Sequence, residues 1–231
     1  MPGFRGMRGA LRATGLPLLS AVAGAAMFGG AVAAGPGISY PDAPPDKPTS
    51  LCARAVTETE DRLAIPGNLL AAIALAESGR WDPASQESNS WPWTVYAEGH
   101  PHYPTTKKSA IAAVRSMMAR GVRNIDVGCL QINLYYHPTA FANLDEAFDP
   151  AANAADAGNL LLRLQITHKS WSRAIAFYHS ATRKYAIPYL RRVQRLWLAE
   201  RRREAAAMRD ARLESLRLEK AARDAGPAVD G

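Results

Sequence analysis

Glu77 is the residue whose setting first suggests chemistry. It follows Ala74-Leu75-Ala76 at the end of a segment, Asn68 to Ala76, that is almost wholly apolar. A carboxyl so placed loses hydration of its charged form, and its pKa rises. The negative end of a helix dipole acts in the same direction. A carboxylic acid that stays protonated near neutral pH is what general-acid chemistry requires. The plainer alternative is a helix-end glutamate pointing into water. Two amides, Gln131 and Asn133, interrupt another apolar run, Gly128-Cys129-Leu130-Gln131-Ile132-Asn133. Buried amides need partners, and a polysaccharide offers hydroxyl and acetamido groups in quantity. Tyr178-His179-Ser180 ends the run from Ala174 with three polar groups together, and Tyr189 adds another phenol.

Other polar residues carry weaker signals. A hydrolytic glycosidase needs a second carboxylate, and Asp126, just before Gly128, is the best candidate. Its alternative role is to cap a helix starting at Gly128. Asp149 before Pro150 reads as a helix cap, and Asp145 and Glu146 read as solvated. His100 and His102 flank Pro101 with no third ligand at a convincing spacing, so no metal and no other cofactor is expected. His137 before Pro138 reads as loop structure. Arg123 and Asn124 would pin the loop before Asp126.

The elements that must position these groups are mostly helical. Leu51, Ala55, Val56 and Leu63 share one side of a helix from Leu51 to about Ala64. Ile65-Pro66 ends it, and Pro66 suits the first turn of the next. That second helix is buried nearly all round and stops at Glu77-Ser78-Gly79, with Gly79 as its C-terminal cap. Trp81 to Thr106 reads as loops with a short hairpin around Thr94-Val95-Tyr96. Helices follow at Ser109–Arg120, Pro150–Leu164 and Trp171–Tyr178, with a turn at Arg123–Asp126. A last helix starts near Pro188 or Tyr189 and runs to about Arg223. The class is mainly α, with a loop or short-hairpin insertion and a long C-terminal helix.

Composition narrows the function classes. With 48% apolar and 21% charged residues among 231, the chain is neither disordered nor collagen-like. A mean hydropathy of −0.19 excludes a polytopic membrane protein. Arg5, Arg8 and Arg12 precede an uncharged stretch, Leu16 to Ala34, that closes on Ala31-Val32-Ala33-Ala34. Basic, apolar and small in that order is the pattern of a secretory signal peptide, 1–34, cleaved after Ala33 or Ala34. An uncleaved anchor is the alternative, and Pro17, Gly29 and Gly30 make it a poor one. Without residues 1–34 the formal net charge falls from +7 to +4. That is no argument for nucleic acid, which calls for a focused basic stripe. A Pro-rich linker, 35–50, separates the signal from the domain. Export to the periplasm would permit a disulfide between Cys52 and Cys129, the only two cysteines. Two buried free thiols are the alternative. The charged tail, 200–231, reads as a solvated helix, or as a short coiled coil or docking arm with envelope machinery as its partner.

In order, Glu77-Ser78-Gly79, Gly128-Cys129-Leu130-Gln131, Phe148-Asp149-Pro150 with Asn153, Tyr178-His179-Ser180, and Tyr189 with Val193 resemble the motif series of the SLT-type lytic transglycosylases. These are goose-lysozyme-like enzymes that cut bacterial peptidoglycan. The resemblance covers roughly residues 51–197 and implies a lysozyme-like catalytic domain over 51–199. It implies that Glu77 is the sole catalytic acid and base, and that peptidoglycan glycan strands are the partner. Ser78 would hydrogen-bond near Glu77 or the sugar's acetamido group. Gln131 would line the cleft beside the scissile bond, with Asn133 in the same run. Tyr178 and Tyr189 would contact Glu77 or the sugar ring. The family usually has Tyr-Asn-Ala-Gly where this chain has Tyr178-His179-Ser180-Ala181, which makes His179 a candidate substrate contact. Cys129 stands where Met or Leu is usual, which fits a bridge to Cys52. Two other readings compete: a hydrolytic muramidase on the same fold, and a non-catalytic glycan-binding scaffold of an envelope-spanning apparatus.

Overall fold

The computed structural model describes residues 47–224. The expected signal peptide and residues 35–46 of the expected linker lie outside them, as does the end of the tail from 225 on. The first helix, α1 (Pro48–Leu63), begins inside the expected linker. Pro48 stands in its first turn, where a missing N–H costs nothing and the fixed φ suits the helix. The helix α2 (Leu69–Ser78) does not open on Pro66 as expected. Pro66 instead supplies a turn carbonyl that accepts the Leu69 N–H at 3.0 Å.

The buried start of α2 needs partners for its first N–H groups, and its own residues supply no side-chain cap. Glu60 of α1 does so from outside. Its carboxylate accepts the N–H groups of Asn68 (2.8 Å), Leu70 and Ala71 (3.1 Å). Burial raises the Glu60 pKa, and these three bonds oppose the rise. Glu60 lies four residues after Val56 and eight after Cys52, on the buried face of α1.

The C-terminal end of α2 also departs from expectation. Gly79 is not a left-handed cap: its φ is −59° and ψ 122°. Glycine is needed there because a Cβ would run into the Leu75 carbonyl. The chain leaves α2 directly into β1 (Gly79–Asp82), which pairs antiparallel with β2 (Glu87–Ser90).

A second, four-stranded antiparallel sheet is larger than the one hairpin expected. It has the order β4-β3-β5-β6, from β3 (Val95–Ala97), β4 (His100–His102), β5 (Ile125–Val127) and β6 (Ile132–Asn133). The expected turn at Arg123–Asp126 and the expected helix at Gly128 are therefore replaced by two strands and the turn between them. Strand alternation sends Val95, Ala97, Ile125 and Val127 into a core shared with α3 (Lys107–Ala119) and Phe148. The residues between, Tyr96 and Asp126, point to the other side.

The helical body completes the fold: α4 (Leu144–Ala147), α5 (Pro150–His168), α6 (Trp171–His179) and α7 (Arg183–Asp224). Asp149 caps α5, its carboxylate accepting the Ala152 N–H at 2.9 Å. In space α1 packs on α5, α2 on α7, and α6 between α5 and α7. The α2 residues Leu69, Leu70 and Ile73 form the centre of this core at 0% exposure. The last helix starts five residues before Pro188, which falls inside it. It crosses the expected boundary at 199/200 without a break. No helix among the described residues is long and apolar enough to cross a membrane.

Candidate active site

Between the helical body and the four-stranded sheet lies a cleft of about 640 Å³. Its helical wall is Glu77 from α2, Tyr178 and His179 from α6, and Tyr189 and Arg192 from α7. Its sheet wall is Tyr96, Pro101, Asp126 and Asn133, with Gln131, Tyr136 and His137 from the adjoining turns.

Glu77 stands in the last turn of α2. Its Oε1 accepts a hydrogen bond from the Tyr189 hydroxyl at 2.6 Å. Burial raises its pKa to about 7, and the charge of Asp126 across the cleft adds to the rise. The Tyr189 bond and the positive charge of Arg192 oppose it. The outcome is a carboxyl that keeps its proton in about half of the molecules at pH 7 yet opens onto a cleft, the pairing general-acid chemistry needs.

The turn from Gly128 to Gln131 is pinned at every residue. The Gly128 N–H donates to Thr94 O at 3.0 Å. Cys129 is bonded to Cys52 of α1 in a disulfide. Its carbonyl accepts from Ser78 Oγ at 2.6 Å. The Leu130 N–H donates to Asn153 Oδ1 at 2.9 Å, and the Leu130 carbonyl accepts from the Tyr178 hydroxyl at 2.8 Å. Gln131 Nε2 donates to Thr94 O (3.0 Å) and Gly128 O (2.9 Å). Asn153 is fully buried and also donates to Val127 O (3.0 Å) and Ala147 O (3.1 Å).

Gly128 has φ +86°, and a Cβ there would strike the Asn153 amide. Gly128→Ala therefore combines left-handed strain with damage to buried hydrogen bonds. It is expected to cost about 3 kcal/mol, read as a lowered urea midpoint with unchanged slope.

These contacts sort the expected site residues. Glu77, Gln131, Asn133, Tyr178, His179 and Tyr189 all line the one cleft. Ser78 does not. It is fully buried, donates to Ala74 O and Cys129 O, and is sealed from any sugar. Its work is to tie the end of α2 to the Gly128–Gln131 turn. The Asn133 amide is spent inside the protein. Nδ2 donates to Asp126 Oδ1 (2.8 Å) and Asn124 Oδ1 (2.6 Å), and Oδ1 accepts the N–H groups of Tyr135 and Tyr136. Tyr178 reaches Leu130 rather than Glu77. His179 stacks on Tyr189 at 4.5 Å and 7° between rings. Burial, with Arg192, lowers the His179 pKa and favours neutral imidazole.

Asp126 is not a helix cap. It sits on β5 directly opposite Asn133 of β6. Burial raises its pKa, against the Asn133 bond and the charge of His137. Arg192 and His137 also line the cleft, although no motif marked Arg192, and His137 read as loop structure. The signal for Arg192 was its spacing: it follows Tyr189 by three residues on one helix, which places both on one face. Among the described residues no group of three or more His, Cys, Asp or Glu side chains could hold a metal ion. Comparison of the chain with family models, with curated proteins and with solved structures finds no match.

Proposed function

We propose that the protein is a lytic transglycosylase that cleaves the β-1,4 bond between N-acetylmuramic acid and N-acetylglucosamine in peptidoglycan. The observation that carries this reading is Glu77: a cleft carboxyl with a pKa of about 7, gripped by a tyrosine. A helical body facing an antiparallel sheet across an open groove, as in a lysozyme-like domain, supports it. So does the meeting in one cleft of motif residues more than 100 positions apart.

Neutral Glu77 protonates the glycosidic oxygen as it leaves C1 of N-acetylmuramic acid. Positive charge builds at C1, and the sugar's own acetamido oxygen stabilises it, so no protein nucleophile is required. The Glu77 carboxylate, held by the Tyr189 hydroxyl, then takes the proton from the C6 hydroxyl of the same sugar. That oxygen closes on C1 and gives a 1,6-anhydro product without water. Glu77 ends protonated and ready for another turn.

Tyr189→Phe removes a bond that favours the ionised carboxyl, so the Glu77 pKa rises further. The alkaline limb of the rate profile is expected to move to higher pH. An unmoved limb would mean that the bond does not act on the working proton.

A second reading, hydrolysis, is favoured by Asp126, a carboxyl on the opposite wall of the same cleft. Mass analysis of digested sacculi separates the two, because hydrolysis adds one water to each new end. Anhydro ends from the wild type, lost in Glu77→Gln, support the lytic reaction. Reducing ends that are lost in Asp126→Asn support hydrolysis. Binding to sacculi with no soluble product would replace both with a glycan-binding scaffold.

A further inference from the structure

The outer face of α7 carries a pattern unrelated to the cleft. At 100° per residue, Arg191, Arg195, Arg202, Arg209 and Lys220 fall within about 40° of one another around the helix. The buried residues of α7, Ala186, Tyr189 and Val193, lie on the opposite side. The stripe therefore points away from the body, and all five bases are exposed. Within about 70° of the line α7 has one acid, Asp224 at its end, which pairs with Lys220 at 3.4 Å; Asp210, about 80° away, lies 3.9 Å from Arg209 Nε. Glu204 turns towards the body, where its carboxylate accepts from Asn68 Nδ2 at 2.6 Å.

Three leucines share this face: Leu198, Leu213 and Leu216, exposed at 51%, 48% and 41%. A merely solvated helix alternates its charges and does not segregate them. A second copy laid on this face would bring like charges together, which opposes a coiled coil. A soluble polyanion would satisfy the bases and leave the leucines in water. An anionic bilayer satisfies both, with headgroup phosphates against the bases and the leucines in the interface.

We infer that the outward face of α7 docks the protein on an anionic lipid surface. From Arg191 to Lys220 the stripe is about 44 Å long, enough to lie flat across several headgroups. The body lies on the other side of the helix and does not obstruct the contact.

The test is co-sedimentation of the full chain with vesicles of phosphatidylcholine alone or mixed with phosphatidylglycerol. Binding is expected on the mixed vesicles, falling as salt is raised. The triple variant Arg202→Glu, Arg209→Glu, Lys220→Glu is expected to bind at least about tenfold more weakly. Leu213→Ser with Leu216→Ser, which leaves the charge unchanged, is expected to weaken binding severalfold. Residues 16–34 are apolar but identical in every variant, so they cannot produce these differences. Circular dichroism establishes that the helix content is retained. Equal binding to both vesicle types overturns the inference, and so does undiminished binding by the triple variant. Binding to soluble polyphosphate without binding to vesicles also overturns it, in favour of a polyanion.

Discussion

Glu77→Gln is expected to keep the fold and to cut release of soluble muropeptides by about a thousandfold, in line with the loss of a general acid. The amide keeps the shape of the acid and can still accept from Tyr189, but it has no proton of the required acidity. Wild-type activity should fall as pH rises through about 7, because the proposed reaction starts from the neutral form of Glu77, whose pKa is about 7.

The same carboxyl sets a stability difference whose sign is fixed. Its folded pKa of about 7 lies above the ordinary 4.5. Below pH 4.5 both folded and unfolded chains hold the proton, and Glu77 carries no penalty. As pH rises from 4.5 towards 7, the unfolded chain releases its proton first, so stability drops until the folded carboxyl ionises too. The total loss is up to about 3 kcal/mol. Gln cannot ionise, so Glu77→Gln should exceed the wild type in stability by up to that amount at pH 8, and match it near pH 4. Urea unfolding at the two pH values measures this. Equal stability at pH 8 would mean that the Glu77 carboxyl is well hydrated, and the case for a general acid would fail with it.

Loss of the Cys52–Cys129 bridge should give the largest fall in stability. The bridge spans 77 positions, and closing a loop of that size removes unfolded-state entropy equivalent to about 4.5 kcal/mol. The paired variant Cys52→Ala, Cys129→Ala should show that fall in urea and be indifferent to reductant. The wild type should approach it only when reduced. The bridge also anchors the carbonyl that Ser78 holds, so the reduced protein should lose activity before it unfolds globally. A midpoint unchanged by reductant would mean that the bridge contributes nothing.

Much of the helical framework was legible in the sequence because its signals are local. The apolar run of α2 announces a buried helix, and Asp149 before Pro150 announces a cap. The four-stranded sheet left little trace. Its strands have two or three residues each, too few for alternation to register, and their pairing joins Val95 to Val127 across the intervening α3. That is why Asp126 read as a cap, and why the turn from Gly128 read as a helix. Pro188 suggested a helix start because proline usually stands in a first turn. Here it falls in the second turn of α7. The family resemblance made Ser78 a site residue beside Glu77, but successive helix positions face different ways. One faces the groove, and the other faces the Cys129 carbonyl.

From Tyr189 to Asp224 the last helix is one continuous rod, and its first turns form a wall of the groove. No joint separates the end that lines the groove from the end that stands clear. Whatever grips the outer turns therefore aims the groove as a hand on a handle aims a blade. On the proposed function, reach, tilt and distance to a glycan strand follow from where the rod is held.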